Sequence, residues 1–191
     1  MPPRNPAARP MASESLQLGV GASNADVSIR QAGPADIPVL RSLAERIWRA
    51  HYPGIITHAQ IDYMLAWMYS PTTIAREMAE GITWELLQLA RRPVGYLAYA
   101  RDTKGTTVKL NKLYLLPEWH GHGLGKLMLN HVRAQAIAWG AQRIHLNVNK
   151  ANSIAIRAYE RAGFQVIESV RNDIGAGHIM DDYLMAWEPI S

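Results

Sequence analysis

Residues 113–126 read LYLLPEWHGHGLGK, and the order of elements in that stretch decides the fold. A strand-like apolar run from Thr107 to Leu115 stops at Pro117, Gly121, Gly123 and Gly125 alternate, and Leu124, Leu127, Met128, Val132 and Ala136 then repeat at helical spacing. Strand, glycine loop and helix make a βα unit. Glycines between a strand and the first turn of a helix let main chain approach a ligand closely. The unpaired N–H groups and the helix dipole there favour negative charge, which makes the loop a candidate phosphate cradle. A merely flexible turn rarely needs three alternating glycines.

Two familiar phosphate loops fail on spacing. A P-loop, G-x-x-x-x-G-K-[S/T], needs a wider glycine separation than Gly121 to Gly125, and Leu127 follows Lys126 where a magnesium hydroxyl would stand. A dinucleotide fingerprint needs G-x-G-x-x-G and an acidic residue about 20 positions on. Here the spacing is G-x-G-x-G, and Asn147 and Asn149 close the next strand.

Outward from the loop, strands are expected at 27–31, 84–90, 94–100, 107–115, 144–148, 164–170 and 183–187. Helices are expected from Pro34 to about His51, His58 to Tyr69, Pro71 to Glu80, along the stripe that starts at Leu124, and Ser153 to Ala162. The turn residues Arg91-Arg92-Pro93 join the second and third strands as a hairpin. Hairpins first, then strands alternating with helices, predict an α/β (α+β) fold with a mixed sheet and helices packed on its faces.

The chain has 191 residues, 48% of them hydrophobic and 19% charged, enough for one domain with a real core. It contains no cysteine, which excludes disulfide scaffolds, thiolate zinc sites and cysteine nucleophiles. No apolar run approaches the roughly 18 residues of a membrane span, so no membrane partner is expected and a cytoplasmic location is the default. Residues 1–26 hold Pro2, Pro3, Pro6 and Pro10 without aromatics or a secretory apolar stretch, and read as a flexible tail. Arg4 and Arg9 cancel Glu14 and Asp26, so the formal +4 belongs to residues 27–191, expected as a single domain. The basic residues are scattered and form no dense stripe, which suits an anionic small ligand better than nucleic acid.

The loop and a second block together resemble the GCN5-related N-acetyltransferases (GNAT). Their acetyl-CoA loop has the form Gln/Arg-x-x-Gly-x-Gly/Ala, here His120-Gly121-His122-Gly123-Leu124-Gly125. Val148-x3-Asn152-x2-Ala155-x3-Tyr159-x3-Gly163-Phe164 is similar to the family's next motif in residue types and spacing. The resemblance implies a mostly antiparallel sheet of about seven strands, splayed in the middle between the 107–115 and 144–148 strands, with CoA in the gap. It implies that acetyl-CoA is the co-substrate and that no metal takes part. His120-Gly121-His122 lacks a third metal ligand in view. The pyrophosphate would meet main chain from His120, Gly121, His122, Gly123, Leu124, Gly125 and Lys126. The pantetheine arm would run along Leu113, Tyr114 and Leu115 and touch Asn152, and the N–H of Leu113 would be the oxyanion donor.

The implied reaction moves acetyl to a primary amine by direct attack. Such an amine, with a pKa near 10.4, is only about 0.04% neutral at pH 7, so a base or a water chain is needed. Many relatives carry a glutamate two residues before the Leu113 equivalent; Asn111 stands there, able to position a water but not to act as a base. Glu45, Asp62, Glu85 and a solvent relay are the alternatives. Tyr159 matches the family's general acid toward the departing CoA thiolate, and as a plain core tyrosine it would share a helix face with Ala155 and Ala162. Trp48, Tyr52, Tyr63 and Trp67, near Tyr96 or Tyr99, would line the acceptor side. Asp173, His178, Asp181 and Asp182 in a C-terminal turn would favour a cationic, polyamine-like acceptor. A CoA-sensing module without turnover and a protein N-acetyltransferase are the rival readings, and a homodimer is left open.

Overall fold

The computed structural model describes residues 26–189; the rest of the tail expected over 1–26 lies outside the described residues. Seven strands form one sheet: β1 (Val27–Gln31), β2 (Thr83–Leu89), β3 (Arg92–Arg101), β4 (Thr107–Leu115), β5 (Arg143–Asn149), β6 (Gln165–Gly175) and β7 (His178–Trp187). Their order is β1-β2-β3-β4-β5-β7-β6, and only β4 and β5 run parallel. Five helices accompany them: α1 (Ile37–His51), α2 (His58–Met68), α3 (Pro71–Ala79), α4 (Leu124–Ala138) and α5 (Ser153–Arg161). This is the mixed, mostly antiparallel sheet expected, with α1 to α3 inserted between β1 and β2.

Local chemistry sets the helix ends. The Thr57 and Ser70 side chains accept from Gln60 N–H and Thr73 N–H, and Pro71 stands at the first position of α3, where its missing donor costs nothing. Leu40, Leu43, Ala44 and Ile47 of α1 and Met128, Val132 and Ala136 of α4 are buried against the sheet interior formed by Leu86, Leu97, Val108 and Leu146. Among the described residues no helix is long and apolar enough to cross a membrane.

Two sequence expectations need correction. The β2–β3 turn is Ala90-Arg91, with φ of 44° and 66°, and Arg92 and Pro93 already belong to β3. Positive φ at both central residues suits a tight hairpin, but neither residue is Gly, Asn or Asp, so the usual signature is missing. The C-terminal segment around Asp173 and Asp181 is not an open turn. β6 and β7 continue as a paired ribbon to Gly175 and His178. Its polar outer half carries no hydrophobic alternation by which a strand could be read.

Candidate active site

β4 and β5 pair only at Thr107–Arg143, Val108–Ile144 and Lys109–His145, and then separate. On its other edge β4 stays paired with β3 to Leu115, but the register shifts between Ala98 and Tyr99, which leaves Asn111 without a partner. Such a bulge increases local twist and bends the strand. Asn111 therefore marks the place where β4 leaves β5.

The ladder also sets where main-chain groups point. Leu116 N–H donates to Val94 O at 2.9 Å, which makes Gly95–Leu115 a non-hydrogen-bonded pair and, by alternation, Leu97–Leu113 another. The N–H and C=O of Leu113 and Leu115 consequently face the gap. The Leu115 carbonyl is already occupied, since it accepts from His120 Nε2–H at 3.0 Å. His122 Nδ1–H donates to His120 O at 2.9 Å. Both imidazoles thus brace the loop, and among the described residues no group of three metal-binding side chains occurs.

The glycine loop leads straight into α4. Gly121 and Gly123 have φ of 79° and 78°, a conformation that side chains with a Cβ rarely adopt. Gly125 is different: it is helical, and a Cβ there would meet nothing within 4 Å. The first bond of α4 runs from Leu127 N–H to Gly123 O, 3.0 Å, so the amides of Gly123, Leu124 and Gly125 have no partner inside the helix. The Leu124 side chain is fully buried, which leaves only its main chain for a ligand.

The gap opens into a cavity of about 1020 Å3, at the top of the roughly 300–1,000 Å3 range of small-molecule sites. Asn111, Leu113, Tyr114, Leu115, His120, Gly121, Gly125, Lys126, Asn152 and Tyr159 all line it; His122, Gly123 and Leu124 do not. Asn152 caps α5 by accepting from Ala155 N–H at 3.2 Å and bonds to His51. Burial lowers the His51 pKa, with the Asn152 bond raising it and His120 lowering it further. Tyr159 is half-buried against Phe164, and burial, reinforced by Tyr52, pushes its pKa well above the usual tyrosine value. A phenol held this way keeps its proton at neutral pH and acts as a donor.

The acceptor-side expectations divide. Trp48, Tyr52 and Trp67 line the cavity. Trp48, Tyr69 and Tyr96 form a buried network in which Tyr69 Oη accepts from Trp48 Nε1–H at 3.2 Å and from Tyr96 Oη–H at 2.8 Å. Tyr99 lies away, packed on Trp139 at 5.7 Å between ring centroids. Tyr63 donates to Ile174 O at 2.5 Å and Gln60 to Ile179 O at 2.9 Å, so α2 pins the β6–β7 ribbon. Three of the base candidates also lie elsewhere. Glu45 and Asp62 both pair with Arg49, and Glu85 accepts from His131 Nε2–H at 2.8 Å; none lines the cavity. Asp173 bonds Gly175 N–H and Asp181 pairs with Lys150. Of the expected carboxylates only Asp182 faces the cavity. Arg133, which sequence alone does not single out, also lines it, its guanidinium 4.7 Å from the Trp187 ring.

Comparison with known proteins agrees with this geometry. The model of the acetyltransferase (GNAT) family matches residues 41–164. The chain belongs to the GNAT family. An uncharacterised N-acetyltransferase of Mycobacterium tuberculosis is 40% identical to this GNAT chain over 97 residues, 51% of the chain and 61% of that relative. The match therefore spans less than two thirds of the relative's length. The spermine/spermidine N(1)-acetyltransferase of Bacillus subtilis is 37% identical over 68 residues, 35% of this chain and 45% of that one. Among solved structures, the PaiA N-acetyltransferase of Thermoplasma acidophilum in complex with coenzyme A superposes with a TM-score of 0.74. It shares 21% identity over 85% of this chain and 99% of that one, a likeness of fold. The splayed sheet is thus the GNAT architecture.

Proposed function

We propose that residues 27–191 form a single GNAT domain that transfers acetyl from acetyl-CoA to a primary amine of a small cationic acceptor. The observation that carries this reading is the unpaired edge of β4, whose Leu113 N–H faces a gap continuous with the amides at the start of α4. The resemblance implies that acetyl-CoA supplies the acetyl thioester. Main-chain N–H groups from Gly121 to Lys126 would hold its pyrophosphate, and the helix dipole favours that charge. The pantetheine arm would follow β4 at Leu113 to Leu115, displacing His120 from the Leu115 carbonyl or sharing it. Leu113 N–H would stabilise the tetrahedral oxyanion, a contribution of about 3–4 kcal/mol for one preorganised donor. Tyr159, protonated and lining the same cavity, would give its proton to the departing thiolate, and Asn111 at the bulge would position a water.

A polyamine-like acceptor is supported by the aromatic lining, by Asp182, and by the Bacillus subtilis relative. The test is release of CoA thiol from acetyl-CoA with a panel of polyamines, amino acids, aminoglycosides and peptides bearing free N-termini. Acceptor-dependent thiol is expected. Calorimetric binding of acetyl-CoA with no thiol released by any amine would favour a CoA-sensing module, the reading that Asn111 in place of a glutamate supports.

A further inference from the structure

We propose that Asp182 is the base that takes the proton of the acceptor ammonium, an assignment that rests on the acetyltransferase reading above. Asp182 lies on β7, opposite Asn149 at the end of β5 and Val170 on β6. Its side chain is buried, the residue being only 2% exposed, yet it lines the cavity and its Oδ1 has no hydrogen-bond partner. Buried carboxylates are normally paired. A carboxyl with one oxygen left unpartnered, in a residue that lines a ligand cavity, is placed to meet a group the ligand brings.

Elimination points the same way. Glu77 is the other carboxylate that lines the cavity, and both its oxygens accept from Lys112 Nζ, at 2.9 and 3.2 Å. Lys150, the cation that acts on Asp182, is paired with the neighbouring Asp181. The charged groups that act on the carboxyl are Asp181 on its own strand and Lys150 from the β5–α5 connection; Asp182 itself acts on Tyr52 at the end of α1, whose proton it helps to hold. Tyr52 in turn acts on Tyr159, and Tyr52, Tyr159 and Asp182 all line the same cavity. Burial, with Asp181 adding and Lys150 opposing, raises the Asp182 pKa to about 6. That is high enough to hold a proton for a moment and low enough to be ionised at pH 7. Burial also lowers the pKa of Lys112, an ammonium that lines the same cavity.

The step balances without a further reagent. An ammonium acceptor loses one proton to Asp182, and its lone pair attacks the thioester carbon. The C–N bond forms, the oxyanion rests on Leu113 N–H, and the C–S bond breaks. Tyr159 protonates the thiolate and is made good by the second proton of the new amide nitrogen. Asp182 then passes the first proton to solvent.

The test compares Asp182→Asn, Asp182→Glu and His51→Gln with the native chain, by thiol release across pH 5–9 and by acetyl-CoA calorimetry. The native kcat/KM should show an acid limb with apparent pKa about 6. In Asp182→Asn that limb should vanish and kcat/KM fall about a hundredfold or more, with the acetyl-CoA Kd within about twofold and a cooperative melt retained. Asp182→Glu should recover part of the rate and keep the limb. A native chain that turns over while Asp182→Asn keeps rate and limb, or a limb that instead vanishes in His51→Gln, overturns the role of Asp182 alone. A native chain that turns over no amine overturns both this role and the acetyltransferase reading.

Discussion

Replacing Asp182 with Asn removes a charge while keeping volume and shape, so its effect on stability can be worked from burial alone. In the folded chain desolvation raises the carboxyl from 3.8 to about 6. A shift of about 2 units at 1.36 kcal/mol per unit is about 3 kcal/mol. Because the folded pKa is the higher one, the fold binds the proton more strongly than the unfolded chain. Well below pH 3.8 the group is neutral in both states and costs nothing; as pH rises through 3.8 to about 6 that stability is lost, and above about 6 the loss is complete. Asp182→Asn should therefore match the native chain at about pH 3 and exceed it by about 3 kcal/mol at about pH 8. For a chain of this size that is a rise in Tm of roughly 6–12 °C. Thermal melts followed by circular dichroism at a series of pH values read both numbers. An Asp182→Asn variant no more stable than the native chain at about pH 8, or one stabilised equally at both pH values, would refute the claim that an ionised carboxylate with an unpartnered oxygen is buried there. A gain in stability paired with a loss of turnover is the expected signature of a functional group held at a cost to the fold.

Other substitutions separate chemistry from architecture. Tyr159→Phe should lower kcat at least about tenfold while the calorimetric affinity for acetyl-CoA changes little, because the hydroxyl acts on the leaving thiolate and not on the coenzyme's binding. Gly125→Ala should stabilise the chain by about 0.5–1 kcal/mol in urea unfolding, since the position is helical and open. The alanine keeps its N–H, so the acetyl-CoA Kd should rise by no more than about tenfold, through a methyl that holds the pyrophosphate off that amide and weakens one charge-assisted bond. Glu77→Ala should cost about 3–5 kcal/mol by the same unfolding measurement, because it strands the Lys112 ammonium, which is 3% exposed and sits 4.6 Å from the Trp84 ring. Adding Lys112→Met should restore most of that loss.

Much of the fold could be read without coordinates, for a definite reason. Residues 107–138 pass from strand to glycine loop to helix, each with a local cause: β-branched and apolar alternation, φ above zero at Gly121 and Gly123, and a helical stripe from Leu124. The cap at Asn152 and the Pro71 helix start are equally local. The outer halves of β6 and β7 escape such reading, because pairing with a neighbour and not hydrophobic burial holds residues such as Arg171, Asn172 and Asp173 extended. The Ala90-Arg91 turn escapes for a similar reason, its strands imposing a conformation that its residues do not favour.

The candidate site divides along the same line. By itself the sequence determined the loop, the tyrosine of α5 and the asparagine that caps it, because each depends on residue type at short spacing. Only the tertiary structure decided which of the carboxylates lines the cavity with an unpartnered oxygen. Glu45, Asp62, Glu85 and Asp182 are alike as letters; three are spent on Arg49 or His131, and one is buried at the cavity wall with a free oxygen. Burial and partner are properties of strands far apart in the chain, brought together by the sheet, and no spacing within one segment encodes them.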